Sequence, residues 1–413
     1  MARAAFPQTA APPQPPVAIE LEYAQSELPR RVALFTAASE AANRAADLGL
    51  DRLFGNARRE RSRIVLRIAR LWLVNLPIAA LTTAASHNAG HFARVNEVGH
   101  GEQFLQVTQW PWPIPAVGTV EGSDTLIEDP LMRLAVFGGG EQGSGVLKDK
   151  AIDKIYTSDR ADYFDWVLAG YASLDFPLYA WTDLRPSYFK SPDSVWNSQL
   201  ADFRNYVLTE QSMTAANVVR AGGGLYLPDP AAQMAGLSRF ARQIRRSAWL
   251  NLADFTLWSA FHRTVRYAAT GERSTANPAL TLGCVRIVPG AYATLGTVGL
   301  ERGVDVRVLG ARYVTHVNVR QTSPPPGGSR WGFGVGLRSR TPTAIRPEAQ
   351  VDLWQRLQRG PGFRVEAGFR APVRNGSQPF ETAFRVGYKS QGYLTEAPYR
   401  ATLLASISTS IRF

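Results

Sequence analysis

The spacing of apolar residues changes near Pro278, and this change constrains the fold more than any other feature of the 413-residue sequence. Before Pro278, apolar residues recur about every 3.6 positions, which is typical of one face of an α-helix. After it they alternate: Trp331, Phe333, Val335 and Leu337 are separated by three glycines and followed by Arg338. Alternation over four to eight residues is typical of β-strands.

The sequence therefore predicts an α+β fold in which the helical and strand regions follow one another along the chain. A mainly α-helical domain is predicted for residues 27–278, and an antiparallel β-barrel or strongly curved sheet of about eight strands for residues 279–413. Turn sequences such as PPPGGS and RNGSQP separate the strands. Within the helical region, the glycine-rich stretch FGGGEQGSG is predicted to be a flexible turn, because it lacks the context of a phosphate-binding loop.

Residues 1–26 are predicted to form a disordered leader. The first 16 residues contain five prolines and no apolar stretch. They contain no secretory apolar region either, so export requires that a signal peptide was removed before residue 1. The most apolar helical stretch, 71–85, has only 15 residues and is interrupted by Pro77, which is short for a bilayer span and more typical of a buried or interfacial helix.

The net charge of +12 comes mainly from the last third of the chain, and 41 of the 46 basic residues are arginines. A basic chain suggests nucleic acid as a partner. Here, however, the arginines occur singly between apolar residues and not in runs or on one helix face. The sequence therefore predicts no nucleic-acid partner.

The last strand, TLLASISTSIRF, places apolar residues on one face and mostly serine on the other, and the chain ends on an aromatic residue. The apolar face carries Leu403, Ala405, Ile407, Thr409, Ile411 and Phe413. This segment resembles the terminal strand of bacterial outer-membrane β-barrel proteins, in which a C-terminal Phe is part of the signal read by the insertion machinery. The resemblance covers only the last dozen residues. It implies location in the bacterial outer membrane, contact with its lipid, and a periplasmic helical part. A soluble sheet that ends on phenylalanine is the alternative.

Three of the five histidines lie close together in SHNAGHFARVNEVGH. On a helix, His87 and His91 are one turn apart and project from the same face, so two imidazoles could ligate one zinc ion. The segment resembles the HExxH helix of zincin metallopeptidases. The resemblance implies zinc as the cofactor, with His87, His91 and His100 as its predicted ligands. Alternatives to His100 are Glu97, Glu102 and Glu210.

The glutamate that acts as the base in the zincin helix is replaced here by Asn88. An amide cannot take a proton from a metal-bound water, so no catalytic residue is predicted. The first hypothesis is an outer-membrane-associated protein whose helical domain binds a metal or a polypeptide without cutting it. The second is a structural or interaction component of the cell envelope, with a protein partner and no metal site. The third is an active zinc metallopeptidase that uses another base.

Replacing Asn88 by glutamate tests whether the helix retains the zincin arrangement. With zinc present, we expect Asn88→Glu to gain measurable hydrolysis of an unfolded protein substrate, because a positioned general base is worth about 10²–10⁴ in rate. The matched variant Asn88→Gln should remain inactive. Chelator-sensitive proteolysis by the unmodified protein would contradict this prediction.

Overall fold

The structure is a computed structural model, and it describes most of the chain in seventeen segments. These are residues 18–24, 27–54, 60–97, 105–107, 118–120, 130–158, 160–189, 202–214, 219–221, 224–226, 230–296, 299–323, 329–340, 345–356, 361–375, 378–392 and 400–412.

Nine α-helices occur in the described residues, all before Pro278. They are α1 (Glu27–Phe54), α2 (Glu60–Arg70), α3 (Leu76–Glu97), α4 (Pro130–Phe137), α5 (Gly139–Thr157), α6 (Tyr163–Thr182), α7 (Asp202–Thr214), α8 (Pro230–Leu252) and α9 (Phe255–Thr270). Asp162 and Asp254 cap α6 and α9, each accepting a hydrogen bond from the backbone N–H two residues later. A π-helical turn, Leu71–Asn75, joins α2 to α3 just before Pro77, which lacks an N–H to donate.

The closest contact between helices is the crossing of α3 and α5, and it depends on glycines from both. A Cβ added at Gly90 would lie 1.7 Å from the carbonyl oxygen of Gly139, and one added at Gly143 would lie 1.9 Å from the carbonyl oxygen of Ser86. The two backbones therefore touch directly, which only residues without a side chain allow.

This crossing corrects the prediction that FGGGEQGSG is a flexible turn. From Gly139 onward the stretch forms the first turns of α5. Glycine disfavours an isolated helix by about 1 kcal/mol per residue relative to alanine. Here the close packing against α3 outweighs that preference.

The strands form one large antiparallel sheet and three small two-stranded ones. They are β1 (Ala18–Ala24), β2 (Leu105–Val107), β3 (Gly118–Val120), β4 (Arg160–Asp162), β5 (Val219–Ala221), β6 (Gly224–Tyr226), β7 (Ser274–Ala276), β8 (Leu280–Leu282), β9 (Val285–Gly296), β10 (Gly299–Leu309), β11 (Tyr313–Ser323), β12 (Arg330–Ser339), β13 (Arg346–Gln355), β14 (Pro361–Asn375), β15 (Gln378–Lys389) and β16 (Thr402–Arg412). The large sheet has the order β1-β16-β15-β14-β13-β12-β11-β10-β9-β8.

The α+β prediction is confirmed, with nine strands after Pro278 where about eight were predicted. The sheet is open: among the described strands its edges, β1 and β8, do not pair with each other. The sequence predicts either a closed barrel or a strongly curved sheet for this region. The described strands do not close into a barrel.

Strand β1 lies inside the predicted disordered leader, 1–26, so that prediction is wrong for residues 18–24. The strand pairs with β16 along its whole length, for example Leu21 with Thr409 and Tyr23 with Ile407. Its alternating sequence AIELEYA becomes stable only beside β16, which supplies all of its ladder hydrogen bonds. Residues 1–17 lie outside the described part of the chain, as does Phe413.

The outward face of the large sheet is apolar and exposed. One row of directly paired residues crosses five strands as Val304, Val319, Phe333, Leu353 and Phe363, and each of these side chains is exposed. A neighbouring row crosses seven strands as Val306, Val317, Val335, Val351, Val365, Tyr388 and Leu403. A soluble sheet would bury such a face.

The opposite face is charged, buried and packed against the helices. Asp305, Asp352 and Arg364 are buried, and Arg364 donates a 2.7 Å hydrogen bond from Nε to Asp352. Gly334 leaves room for Asp352 and Gly336 leaves room for Gln350, because a Cβ would lie 2.4 Å from Oδ1 of Asp352 at the first position and 2.2 Å from Oε1 of Gln350 at the second. Three ion pairs between described residues join this face to α5: Arg307 pairs with Asp149 at 3.7 Å and with Asp153 at 3.6 Å, and Arg338 pairs with Asp153 at 3.9 Å.

One helical segment of the described residues, Ser62–Glu97, is long and apolar enough to cross a membrane by length and composition. The core helix of a soluble protein passes the same test. In this chain the second half of the segment, from Ser86 to Val95, is buried among the other helices.

Two glycine substitutions on different helices test the crossing of α3 and α5. Gly90→Ala should lower the free energy of unfolding by at least about 2 kcal/mol, because the added methyl forces the two backbones apart. Gly49→Ala on α1 is the matched control. A Cβ there meets nothing within 4 Å, so the same change should raise stability by about 0.5–1 kcal/mol. Denaturant unfolding of both variants measures the difference, and equal effects would contradict the packing described.

Candidate metal site

Helix α3 brings His87 and His91 together on its buried face, one turn apart as the sequence predicts. Both side chains are almost completely buried, and their ring centroids are 5.0 Å apart. Both Nε2 atoms point at one carboxylate oxygen, Oδ2 of Asp202, at 3.3 Å from His87 and 3.2 Å from His91. Asp202 is the first residue of α7, and 29% of its side chain is exposed. The cluster therefore lies at the edge of the helical core.

The second nitrogen of each imidazole is held by another acceptor. Nδ1 of His87 lies 2.9 Å from Oδ2 of Asp175 on α6, and Nδ1 of His91 lies 2.7 Å from the carbonyl oxygen of Val136 on α4. Histidines that ligate metals usually donate the other ring N–H to a carboxylate or a backbone carbonyl, which fixes the ring and leaves the remaining nitrogen as the ligand. Both histidines show this arrangement.

His87, His91 and Asp202 could hold a metal ion, because their three ligand atoms lie within 4.8 Å of one another. In a tetrahedral site with metal–ligand bonds of about 2.1 Å, neighbouring ligand atoms are about 3.4 Å apart. The two distances to Asp202, 3.3 and 3.2 Å, are close to that edge length. Four elements supply the ligands and their supports, so the fold and not one local motif builds the cluster.

A second group that could hold a metal ion lies on the Nδ1 side of His87. It consists of His87, Asp175 and Glu141 of α5. Oε1 of Glu141 is 3.9 Å from Nδ1 of His87, and Ser144 donates a 2.5 Å hydrogen bond to the same oxygen of Asp175 that faces His87. Because Ser144 donates to Asp175 and not to an imidazole, these residues do not form the serine–histidine–aspartate relay of a hydrolase.

Burial and the nearby charges shift the acidities of this cluster in opposite directions. Burial by itself lowers the pKa of His87, but Asp175, Asp202 and Glu141 outweigh it and raise that pKa well above its ordinary value. Burial also raises the pKa of Asp202, but the two imidazoles outweigh it and hold that pKa below its usual range. The pKa of Glu141 is raised well above its usual value, chiefly by burial and next by the charge of Asp175.

Two contacts fix the position of the His87 ring. Tyr179 stacks on it with ring centroids 4.7 Å apart and an interplanar angle of 13°. On α5, a Cβ at Gly140 would lie 2.2 Å from Nε2 of His87. Any side chain at position 140 would fill the space that the His87 ring occupies. The glycines of α5 therefore make room for this ring as well as for the crossing with α3.

A polar cavity of about 130 Å³ begins beside the cluster and continues between α5 and the charged face of the sheet. Its lining includes Glu141 and Ser144 of α5 and Arg320 and Arg338 of the sheet. Nη2 of Arg320 and Nη1 of Arg338 are buried and have no hydrogen-bond partner among the described residues. A cavity of this size with such donors can hold several water molecules.

The structure locates some of the residues predicted from the sequence and not others. His100 and Glu102 lie outside the described residues, as does the side chain of Glu210. Glu97 accepts hydrogen bonds from Arg94 at 2.8 and 3.0 Å. Asn88 is buried, and its amide donates a 2.9 Å hydrogen bond to the carbonyl of Ala84 one turn earlier.

Asp202 and Asp175 were not predicted from the sequence. Asp202 is 111 residues from His91 and starts a helix with no metal-binding motif, while Asp175 lies within an aromatic stretch that indicates a helical core. In the sequence, only the apolar residues around Asp175 indicate that its carboxylate is buried and therefore needs a hydrogen-bonding or charged partner.

Comparison of the chain with protein-family models, with curated proteins and with solved structures finds no match.

Proposed function

We propose that the protein is a membrane-associated, non-proteolytic metalloprotein in which His87, His91 and Asp202 bind one zinc ion. The observation that carries this proposal is the convergence of three ligand atoms, two of them on imidazoles whose other nitrogens are already held. Two nitrogens and one carboxylate oxygen are a common ligand set for zinc. These three side chains would hold the ion and would leave it accessible to a water molecule.

The charge of the cluster also supports a bound cation. Glu141, Asp175, Asp183 and Asp202 all act on the same small region, in which His87, His91 and Arg204 are basic partners. Buried carboxylates need compensating charge, and a divalent cation supplies it. Without an ion, His87 must carry the charge itself, with both of its ring nitrogens donating to carboxylates.

The group with two histidines fits zinc better than the group that contains Glu141. A neutral imidazole has only one lone pair for a metal, so His87 cannot serve both groups at once. The 2.9 Å distance between His87 and Asp175 is that of an ordinary hydrogen bond, and the oxygen concerned also accepts from Ser144. We therefore assign Asp175 to orient His87 and not to ligate the ion.

Zinc bound in such a site acidifies its water and polarises carbonyl groups. The residues around the site are poorly placed to apply that chemistry to peptide hydrolysis. The Asn88 amide is engaged with Ala84 and cannot accept a proton, and Glu141 lies on the Nδ1 side of His87, away from the Nε2 atom that faces Asp202. The arrangement favours binding and orientation over hydrolysis.

Membrane association is supported by the inverted polarity of the large sheet. Its apolar rows face outward over seven strands, while its charged face is buried against the helices. Outer-membrane strands also place apolar residues toward lipid and polar residues toward the interior. The resemblance of β16 to the terminal strand of outer-membrane proteins supports the same location.

Metal analysis of ligand variants tests the zinc site. The unmodified protein should bind one zinc ion, and both His91→Ala and Asp202→Asn should weaken binding by more than about a hundredfold. Asp175→Asn should weaken it by about 10–100-fold, as removal of an outer hydrogen-bond partner does. Competition with a chromophoric chelator measures the affinities.

Two variants make this test specific. His262→Ala removes an exposed imidazole on α9 and should leave the affinity unchanged. Glu141→Gln distinguishes the group of His87, His91 and Asp202 from the group of His87, Glu141 and Asp175, because only the latter contains the Glu141 carboxylate. Loss of zinc with Glu141→Gln but not with Asp202→Asn would reassign the site, and a protein that binds no zinc would favour the envelope component without a metal site.

A single charge on the outward sheet face tests membrane association. Val365→Arg should reduce flotation with lipid vesicles, because a cation on a lipid-facing strand costs up to about 2–4 kcal/mol. Leu48→Arg on α1 is the control: both side chains are 46% exposed, but Leu48 lies in the helical region. Equal flotation of the two variants, or recovery of the unmodified protein without detergent or lipid, would contradict the membrane proposal.

A further inference from the structure

Five arginines outside the candidate metal site lie together on one surface, and no acidic partner for them occurs among the described residues. Four are on α8, Arg239, Arg242, Arg245 and Arg246, and the fifth is Arg302 on β10. None of them has a carboxylate within ion-pair distance among the described residues, and α8 contains no Asp or Glu. This contrasts with the charged face of the sheet, where Arg307 and Arg364 are paired with aspartates.

Two tryptophans complete this surface, which we call the arginine–tryptophan surface. Trp249 is 63% exposed, and its ring lies 5.3 Å from that of Trp181 at the end of α6. Nε1 of Trp181 donates to the carbonyl of Arg245, which holds α6 and α8 together at this point.

Two open grooves run across the surface. One, of about 600 Å³, is lined by Arg239, Arg242, Arg246 and Arg302. The other, of about 410 Å³, is lined by Arg242, Arg245, Arg246 and the two tryptophans. Arg242 and Arg246 lie between the grooves and contribute to both.

The surface lies at the rim of the apolar sheet face. On β10, Arg302 occupies the same face as Val304, two residues further along, and adjacent rows on one face are about 7 Å apart. The row of Arg302 continues through Gln321 to the exposed Trp331, and the next row is the apolar one that begins at Val304. A polar and aromatic row therefore borders the apolar area.

We propose that the arginine–tryptophan surface binds the phosphate-bearing headgroup of an anionic phospholipid; this inference rests on the proposed membrane association. Arginine is always charged and bonds phosphate oxygens through two N–H groups at once. Tryptophan concentrates at membrane–water interfaces, where its ring sits at headgroup level. The position beside the apolar face puts both residue types at the depth where phosphates lie.

Vesicle binding by a double variant tests this inference. The unmodified protein should bind phosphatidylcholine vesicles that contain phosphatidylglycerol more tightly than pure phosphatidylcholine vesicles. Arg242→Gln/Arg246→Gln should lower the affinity for the anionic vesicles roughly 25-fold, since each arginine near an anionic surface is worth about a factor of five. Binding to the neutral vesicles should remain.

The control double variant, Arg52→Gln/Arg63→Gln, removes two exposed arginines from α1 and α2 and should keep the preference for anionic vesicles. Retained zinc binding and circular dichroism show that each variant is folded. If a variant does not fold, the salt dependence of binding by the unmodified protein gives the answer, because headgroup binding weakens steeply with salt.

Three results would overturn the inference: equal binding of the unmodified protein to both vesicle types, an equal loss in the control, or displacement from vesicles by single-stranded DNA with the same dependence on Arg242 and Arg246. If the proposed membrane association is wrong, the results differ from these three. The unmodified protein then does not bind neutral vesicles, and Val365→Arg does not alter flotation with lipid vesicles.

Discussion

The backbone contact between α3 and α5 is the interaction on which both the candidate metal site and the helix–sheet contact depend. The glycines at positions 90, 139 and 143 let the two helices touch. As a result, His87 on one helix lies next to Glu141 and Ser144 on the other. Further along α5, Asp149 and Asp153 meet Arg307 of the sheet. A side chain at the crossing would move α5 relative to both neighbours, so one local constraint positions two separate polar regions.

The inverted sheet follows from the same arrangement. Because α5 presents charged residues to the sheet, the facing side of the strands carries charges as well, and buried ion pairs remain favourable only with good geometry and full hydrogen bonding. Glycines 334 and 336 provide the space for that geometry. The apolar residues of the alternating strands are then left on the outside, where water is a poor solvent for them and lipid is a good one.

Much of the fold could be predicted from the sequence, because local periodicity determines the element types. The boundary near Pro278 and the alternating strands β10, β12, β14 and β15 follow from patterns within single segments. Strand β1 and helix α5 do not. Strand β1 depends on hydrogen bonds to β16, almost 400 residues away, and α5 contains four glycines that oppose an isolated helix. Closure of the sheet depends on how its two edges meet, which alternation within strands does not determine.

The site was predictable only where its residues are neighbours on one helix. His87 and His91 are four positions apart, so helical geometry alone places them together. Asp202 and Asp175 come from two other helices, and their approach to the histidines is a consequence of tertiary packing. The resemblance to a zincin helix implies His100 as the third ligand, with Glu97, Glu102 and Glu210 as alternatives, whereas the carboxylate that faces both Nε2 atoms is that of Asp202, at the start of the helix that contains Glu210. A short motif therefore identified the imidazoles, and the fold supplied the carboxylates that contact them.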